Sequence, residues 1–372
     1  MAIKIIIPER SERAQNPGKG AATTAQNKAC PNALPLASSA QQGKEGAARS
    51  AAYAKRKAEA KSGGELNKIL GELDSLIGLK EVKALIHEVY AYGEVQKLRA
   101  KEDLAADSTV LHAIFKGNPG SGKTTVARLL AKLYKEMGVL EKGHLIEVER
   151  ADLVGEYIGH TAQKTKEHIN KALGGVLFID EAYSLCRGGE KDFGREAIDT
   201  LVKAMEDHKN SFILILAGYN KEMIQFLASN PGLNSRFPLH IQFPDYDLNE
   251  LMDISALMFK ERQYMPNPEA QLRLRAYLAK ILEIMPECHG NARTVRNIVE
   301  AAMRAQAVRL MREQKAIYAR EELEMISAWD INQAVMKTAI AMKSQPELNN
   351  IHALSSEEFA FWAGRRAIEG KY

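Results

Sequence analysis

The sequence predicts an α/β fold, a parallel sheet with helices on both faces, followed by a smaller all-α unit. Three observations carry this. Short apolar runs alternate with helical patterns between residues 110 and 243. Two of these runs, residues 176–179 and 212–217, are apolar on both faces, as central parallel strands are. After Pro244 the strands stop and four helical patterns follow in succession.

Residues 1–64 are rich in Ala, Gln, Ser, Lys and Gly, with Tyr53 the sole aromatic. Such a stretch buries too little apolar area to offset its ordering entropy, so a disordered basic segment is expected. From Leu66 the pattern changes. Leu66, Ile69, Leu70 and Leu73 fall at helical spacing, and Val82, Leu85, Ile86 and Val89 resume a second helix. Strands are expected at 110–116, 145–148, 176–179, 212–217 and 239–243, the last alternating as a half-exposed strand would. A helix over 123–137 has Val126, Leu129, Leu130, Leu133 and Met137 on one face, with Gly138 at the C-cap position. Beyond Pro244, helices are expected over 248–262, 268–285, 292–313 and 327–342. The expected domains are 1–64, 65–245, 246–343 and a C-terminal extension, 344–372.

The chain has 372 residues, enough for two or three domains, with 45% hydrophobic and 26% charged residues, ordinary for a globular protein. No apolar run approaches the ~18 residues of a membrane span, and Ile5–Ile7 stops at Pro8, too short for a secretory core. A membrane partner is therefore not expected. Cys30, Cys186 and Cys288 lie far apart without metal-ligand spacing, which excludes a disulfide scaffold and fits a reducing cytoplasm. The net charge of +4 is unevenly placed. Residues 1–64 carry eleven Lys/Arg against four Asp/Glu, the rest 40 against 43. The core thus offers no electrostatic case for nucleic acid.

The chemistry concentrates at Gly117-Asn118-Pro119-Gly120-Ser121-Gly122-Lys123-Thr124, which fits GxxxxGK[ST] after an expected strand and at the start of an expected helix. This is a P-loop. Glycines turn backbone N–H groups toward a polyphosphate, the helix N-terminus adds positive potential, and Lys123 reaches the β/γ oxygens. The Thr124 hydroxyl can ligate Mg²⁺, with Thr125 beside it. Val176-Leu177-Phe178-Ile179 delivers Asp180 and Glu181 to the same crevice. Asp180 is the expected Mg²⁺ residue and Glu181 the expected general base for the attacking water.

With these motifs the chain resembles the AAA+ ATPases over residues 73–343. Asp74-Ser75-Leu76-Ile77-Gly78-Leu79 resembles the adenine-side motif, placing Ile77 and Gly78 near the base. Three longer phrases are similar to one subgroup, which contains stage V sporulation protein K and the red-type Rubisco activases: residues 151–161, 193–201 and 229–237. The resemblance implies ATP and Mg²⁺ as cofactors and a homo-oligomeric ring, hexameric in the family. It implies Arg236 as the arginine finger acting on a neighbour's ATP. It also implies Arg293, in Gly290-Asn291-Ala292-Arg293, as the sensor-2 arginine, with Arg296 as the alternative. Sensor 1 falls in Ala217-Gly218-Tyr219-Asn220, where Asn220 is the candidate and a plain turn residue the competing reading. Tyr157, with Ile158 between Gly155 and Gly159, resembles a central pore-loop aromatic that grips an extended protein substrate, and residues 187–192 a second pore loop. The reading in first place is an ATP hydrolase that remodels or threads a protein, of the sporulation-protein-K type. The alternatives are a red-type Rubisco activase, a nucleic-acid remodeller or clamp-loader-like switch using residues 1–64 as a basic arm, and an ATP-binding scaffold.

Overall fold

A computed structural model describes residues 64–105, 110–155, 157, 159–187, 193–209, 211–284 and 290–341. The expectations for residues 1–63 and for the C-terminal extension lie outside them.

Two helices lead in, α1 (residues 64–75) and α2 (Lys80–Lys101), and the predicted apolar positions Ile69, Leu73, Val82 and Ile86 are all buried. Five parallel strands follow: β1 (Ala113–Lys116), β2 (Leu145–Val148), β3 (Val176–Ile179), β4 (Ile213–Gly218) and β5 (Leu239–Gln242). Their order across the sheet is β2-β3-β4-β1-β5, with Ala113 opposite both Ile215 and Leu239 and Val176 opposite both Leu145 and Ile213. β3 and β4 are buried at every residue, the burial that two-sided apolar runs require. β5 is an edge strand, and its alternation reflects one covered face.

Side chains alternate across the sheet, so each strand feeds two cores. Phe115, Phe178 and Ile215 pack with Val126, Leu130 and Leu133 of α3 (Lys123–Glu136). Ile114, Leu177 and Leu214 pack on the other face. There they meet Ile169 of α5 (His160–Ala172), Ile198 and Leu201 of α6 (Gly194–Asp207) and Phe226 of α7 (Asn220–Ser229). Short α4 (Arg150–Leu153) precedes α5, and short α8 (Pro231–Asn234) follows α7. β1 begins later than residue 110. His112 lies just before it, with ring Nδ1 accepting the Leu214 N–H at 3.0 Å.

The first core continues into a helical lid through Phe259, Leu274, Val295 and Ile331. The lid holds α9 (Leu248–Glu261), α10 (Pro268–Ile284), α11 (Asn291–Glu313), α12 (Arg320–Glu324) and α13 (Ala328–Ala341). At the start of α9, Asp247 and Glu250 form a reciprocal capping box at 2.8 and 2.9 Å. The expectation that strands end at Pro244 is corrected. β6 (Met265–Pro266) and β7 (Met325–Ile326) pair in parallel, held from α11 by Gln306, whose Nε2 donates to the Leu323 and Met325 carbonyls at 2.7 and 3.2 Å. Among the described residues no helix is long and apolar enough to cross a membrane.

Candidate nucleotide site

The carboxyl ends of β1, β3 and β4 meet at one cleft of about 850 Å³. β1 leads into the phosphate loop, β3 into Asp180 and Glu181, and β4 into Tyr219. Open parallel sheets present ligand crevices at this end of their strands. The loop can turn because Gly120 and Gly122 have φ of +73° and +95°, a region that favours glycine. Gly122 then caps α3, whose first residue is Lys123.

Lys123 is only 7% exposed. Its Nζ donates to the Gly117 carbonyl at 2.8 Å and the Asn118 carbonyl at 2.9 Å, so its charge is held over the loop. Burial pushes its pKa below the ordinary lysine value, while Asp180, and less so Asp245 and Glu181, pull it upward and Arg293 pushes it down. Asp180 Oδ1 accepts the Glu181 N–H at 2.9 Å. Glu181 itself sits in the left-handed region, φ 46° and ψ 44°, a conformation that costs a non-glycine residue on the order of 1–2 kcal/mol.

The structure gathers most of the predicted residues at this cleft. Pro119, Gly120, Gly122, Lys123, Thr124, Thr125, Asp180, Glu181, Ile77, Arg293 and Arg296 all line it. Gly117, Asn118 and Ser121 are not among the lining residues, and Ser121 is fully buried with its hydroxyl donating to the Asn118 carbonyl at 2.8 Å. Gly78 does not line the cleft; it lies so close to the Glu250 carboxylate that an added Cβ would meet it at 2.5 Å.

Other predicted residues lie elsewhere. Asn220 does not line the cleft; its Oδ1 accepts the Gln242 amide at 2.8 Å, toward β5. Arg236 follows α8, where its guanidinium donates to the Gly232 carbonyl at 2.7 Å and pairs with Glu206 of α6. Tyr157 is 66% exposed, and its ring meets His160 edge-on at 5.6 Å between centroids. Ile158 and residues 188–192 of the second loop lie outside the described residues.

Two parts of the site escaped the sequence reading. Tyr219 lines the cleft, and its hydroxyl donates to Glu181 Oε1 at 3.0 Å. Asp245 joins the loop to the lid, with Oδ2 accepting the Asn118 amide at 2.8 Å and Oδ1 the Asn291 amide at 2.7 Å. Asn291 is 1% exposed, and its own Oδ1 accepts the Tyr246 N–H at 2.9 Å. The α11 start thereby rests on the phosphate loop, with the Ala292 N–H donating to the Gly120 carbonyl at 3.3 Å. The only signals were membership of phrases already singled out for other residues, Tyr219 in Ala217-Gly218-Tyr219-Asn220 and Asn291 in Gly290-Asn291-Ala292-Arg293.

Comparison with known proteins agrees. The family described as ATPase family associated with various cellular activities (AAA) matches residues 113–245, and the AAA lid domain matches residues 247–340. Stage V sporulation protein K of Bacillus subtilis (strain 168) is 55% identical over 278 residues, covering 74% of this chain and 85% of that protein. Protein CbbX of Cereibacter sphaeroides is 48% identical over 250 residues, covering 67% and 80%. Among solved structures, the FIGL-1 AAA domain in complex with ADP superposes with a TM-score of 0.50 at 14% identity, over 78% of this chain and 88% of that one, a likeness of fold. A phosphate loop at the end of β1, a lid seated on it, and a relative identical at more than half of the aligned positions lead to one conclusion: the chain belongs to the AAA ATPases and is related to stage V sporulation protein K and CbbX.

Proposed function

We propose that the protein hydrolyses ATP in a homo-oligomeric ring, a hexamer as in the family resemblance, and spends the energy on remodelling a protein threaded through the centre. The proposed working parts are residues 65–245 as motor and 246–343 as lid, in the cytoplasm. Lys123 and the N–H groups of residues 117–124 bind the phosphates, and Ile77 with Gly78 borders the base. Thr124 and Asp180 suit Mg²⁺. Both offer oxygen donors, and an ion held by them would take its remaining ligands from phosphate and water. Such an ion would neutralise charge developing on the phosphoryl oxygens.

Glu181 takes the proton of the attacking water, and Arg293 meets the γ-phosphate from the lid, with Arg296 its alternative. Asn220 remains the resemblance-based candidate for sensor 1. Tyr157, with Ile158, contacts the threaded chain through its ring.

The observation that carries the ring is the position of Arg236. It does not line the cleft of its own chain, yet it is 32% exposed and held by two surface contacts, a bond to the Gly232 carbonyl four residues before it and an ion pair with the 60%-exposed Glu206. Exposed pairs are worth about 0–1 kcal/mol, so Glu206 does not prevent Arg236 from serving an adjacent subunit. The test is mixing. Arg236→Ala and Glu181→Gln should each be inactive alone, whereas equal amounts combined should regain hydrolysis, since some boundaries then pair an intact Glu181 with an intact Arg236. No recovery on mixing would sink the shared-site reading.

The sporulation-protein-K type is preferred to the activase type because 55% identity over 74% of the chain exceeds 48% over 67%. Capture by Glu181→Gln with ATP, against Glu181→Gln/Tyr157→Ala, would identify the substrate. Recovery of a Rubisco subunit would reverse the preference, and recovery of nucleic acid would favour the basic-arm reading.

A further inference from the structure

Glu181 is surrounded by two tyrosines. Tyr219, the first residue beyond β4, donates its hydroxyl to Glu181 Oε1 at 3.0 Å. Tyr183, on the 3-10 helix Ala182–Cys186 that Glu181 opens, lies against it with ring centroids 5.5 Å apart. Lys123 Nζ stands 5.9 Å from the Tyr219 ring centre, within cation–π range. Tyr219 therefore bonds the base through its hydroxyl while its ring stands between the neighbouring aromatic and the phosphate-loop lysine. Burial, then the bond to Glu181 and its charge, raise the Tyr219 phenol above its ordinary value, so it stays protonated and must act as donor. The Tyr183 phenol is raised as well, by burial first and the Glu181 charge second.

A residue with φ 46° persists only where its surroundings fix it, and the Tyr219 bond is one visible restraint on the Glu181 side chain. The bond is made to one carboxylate oxygen, Oε1, and so sets how the carboxylate is turned in the cleft. Asn220, the next residue, reaches Gln242 instead and makes no such contact.

From this geometry we propose that Tyr219 is a positioning residue for ATP hydrolysis, acting through Glu181 by fixing the orientation of its carboxylate toward the attacking water. The inference rests on the reading of Glu181 as general base. It assigns Tyr219 no direct contact with the nucleotide, so its loss should slow turnover and leave ATP binding alone.

The test is Tyr219→Phe in the full chain, which keeps the ring against Tyr183 and Lys123 and removes only the donor. A hydrogen bond to a charged group is worth enough to change a rate by about tenfold or more when its orientation is lost. Tyr219→Phe should therefore lower kcat about tenfold with KM for ATP unchanged within about twofold. The same substitution placed on Glu181→Gln should lower the residual single-turnover rate no further. A structural role would instead raise KM or add its full effect in the Glu181→Gln background, and either result overturns the proposal. Wild-type kcat in Tyr219→Phe, with Glu181→Gln inactive, overturns it while sparing the general-base reading. A Glu181→Gln enzyme that still turns over normally overturns both. Binding of a fluorescent ATP analogue by Tyr219→Phe checks that the variant is folded.

Discussion

Asp245, just past the last strand of the sheet, and Asn291, the first residue of the lid helix α11, are joined by a hydrogen bond of 2.7 Å. The other oxygen of the same carboxylate takes the Asn118 amide from the phosphate loop at 2.8 Å. One acceptor therefore fixes both the loop and the lid. Asp245→Ala deprives two amides of that acceptor, at a cost of about 1–3 kcal/mol. The thermal midpoint should fall by several degrees, and the rise in midpoint on adding ADP should shrink. Differential scanning calorimetry with and without ADP reads both effects; an unchanged ADP increment would mean the carboxylate does not link the two parts.

Gly120 cannot accept a side chain while the lid is seated. A Cβ there would lie 2.4 Å from the Gly290 carbonyl oxygen and 2.8 Å from the Arg293 nitrogen, both backbone atoms. With φ at +73°, alanine adds about 1–2 kcal/mol of backbone strain. Gly120→Ala should weaken binding of a non-hydrolysable ATP analogue about tenfold or more by isothermal titration. An affinity within twofold of wild type would show that the lid contact is dispensable.

His112 makes the fold acid-sensitive. It is 3% exposed, packs 6.0 Å from both Phe212 and Phe237, and accepts the Leu214 N–H through Nδ1. Burial pushes its pKa down to about 4, against about 6.5 in the unfolded chain. The unfolded state then binds the extra proton between those values. The His112 contribution is complete above about pH 6.5 and lost as pH falls toward 4, with about 2 kcal/mol gone by pH 5. Urea midpoints at pH 7 and pH 5 should differ less in His112→Gln than in wild type.

The Tyr157 ring contributes little to the fold. It is 66% exposed, so Tyr157→Ala should leave the thermal midpoint within about 2 °C. If the ring grips an extended chain, stimulation of hydrolysis by casein should vanish in this variant. Stimulation equal to wild type would remove Tyr157 from the pore.

The strands were legible because central parallel strands must be apolar on both faces, and residues 176–179 and 213–217 are. The β6–β7 pair was not, since two residues per strand carry no periodicity and Met265 is exposed. The phosphate loop could be read because its chemistry is contiguous. The Asn118–Asp245–Asn291 cluster could not, because its members lie up to 173 residues apart and only folding brings them together. Tyr219 was passed over for its neighbour because successive residues leaving a strand face opposite ways, and sequence alone does not say which one faces the ligand.

The lid helix α11 spans 23 residues, about 34 Å at ~1.5 Å per residue, and its first turn is fastened at the phosphate loop. It is a lever whose short end lies at the nucleotide. A reorientation of only 10° at Gly290 would sweep the far end, near Glu313, through about 6 Å. The departure of a single phosphate group, a change of a few ångström at most, is thereby enlarged to the scale of a side chain where the helix ends.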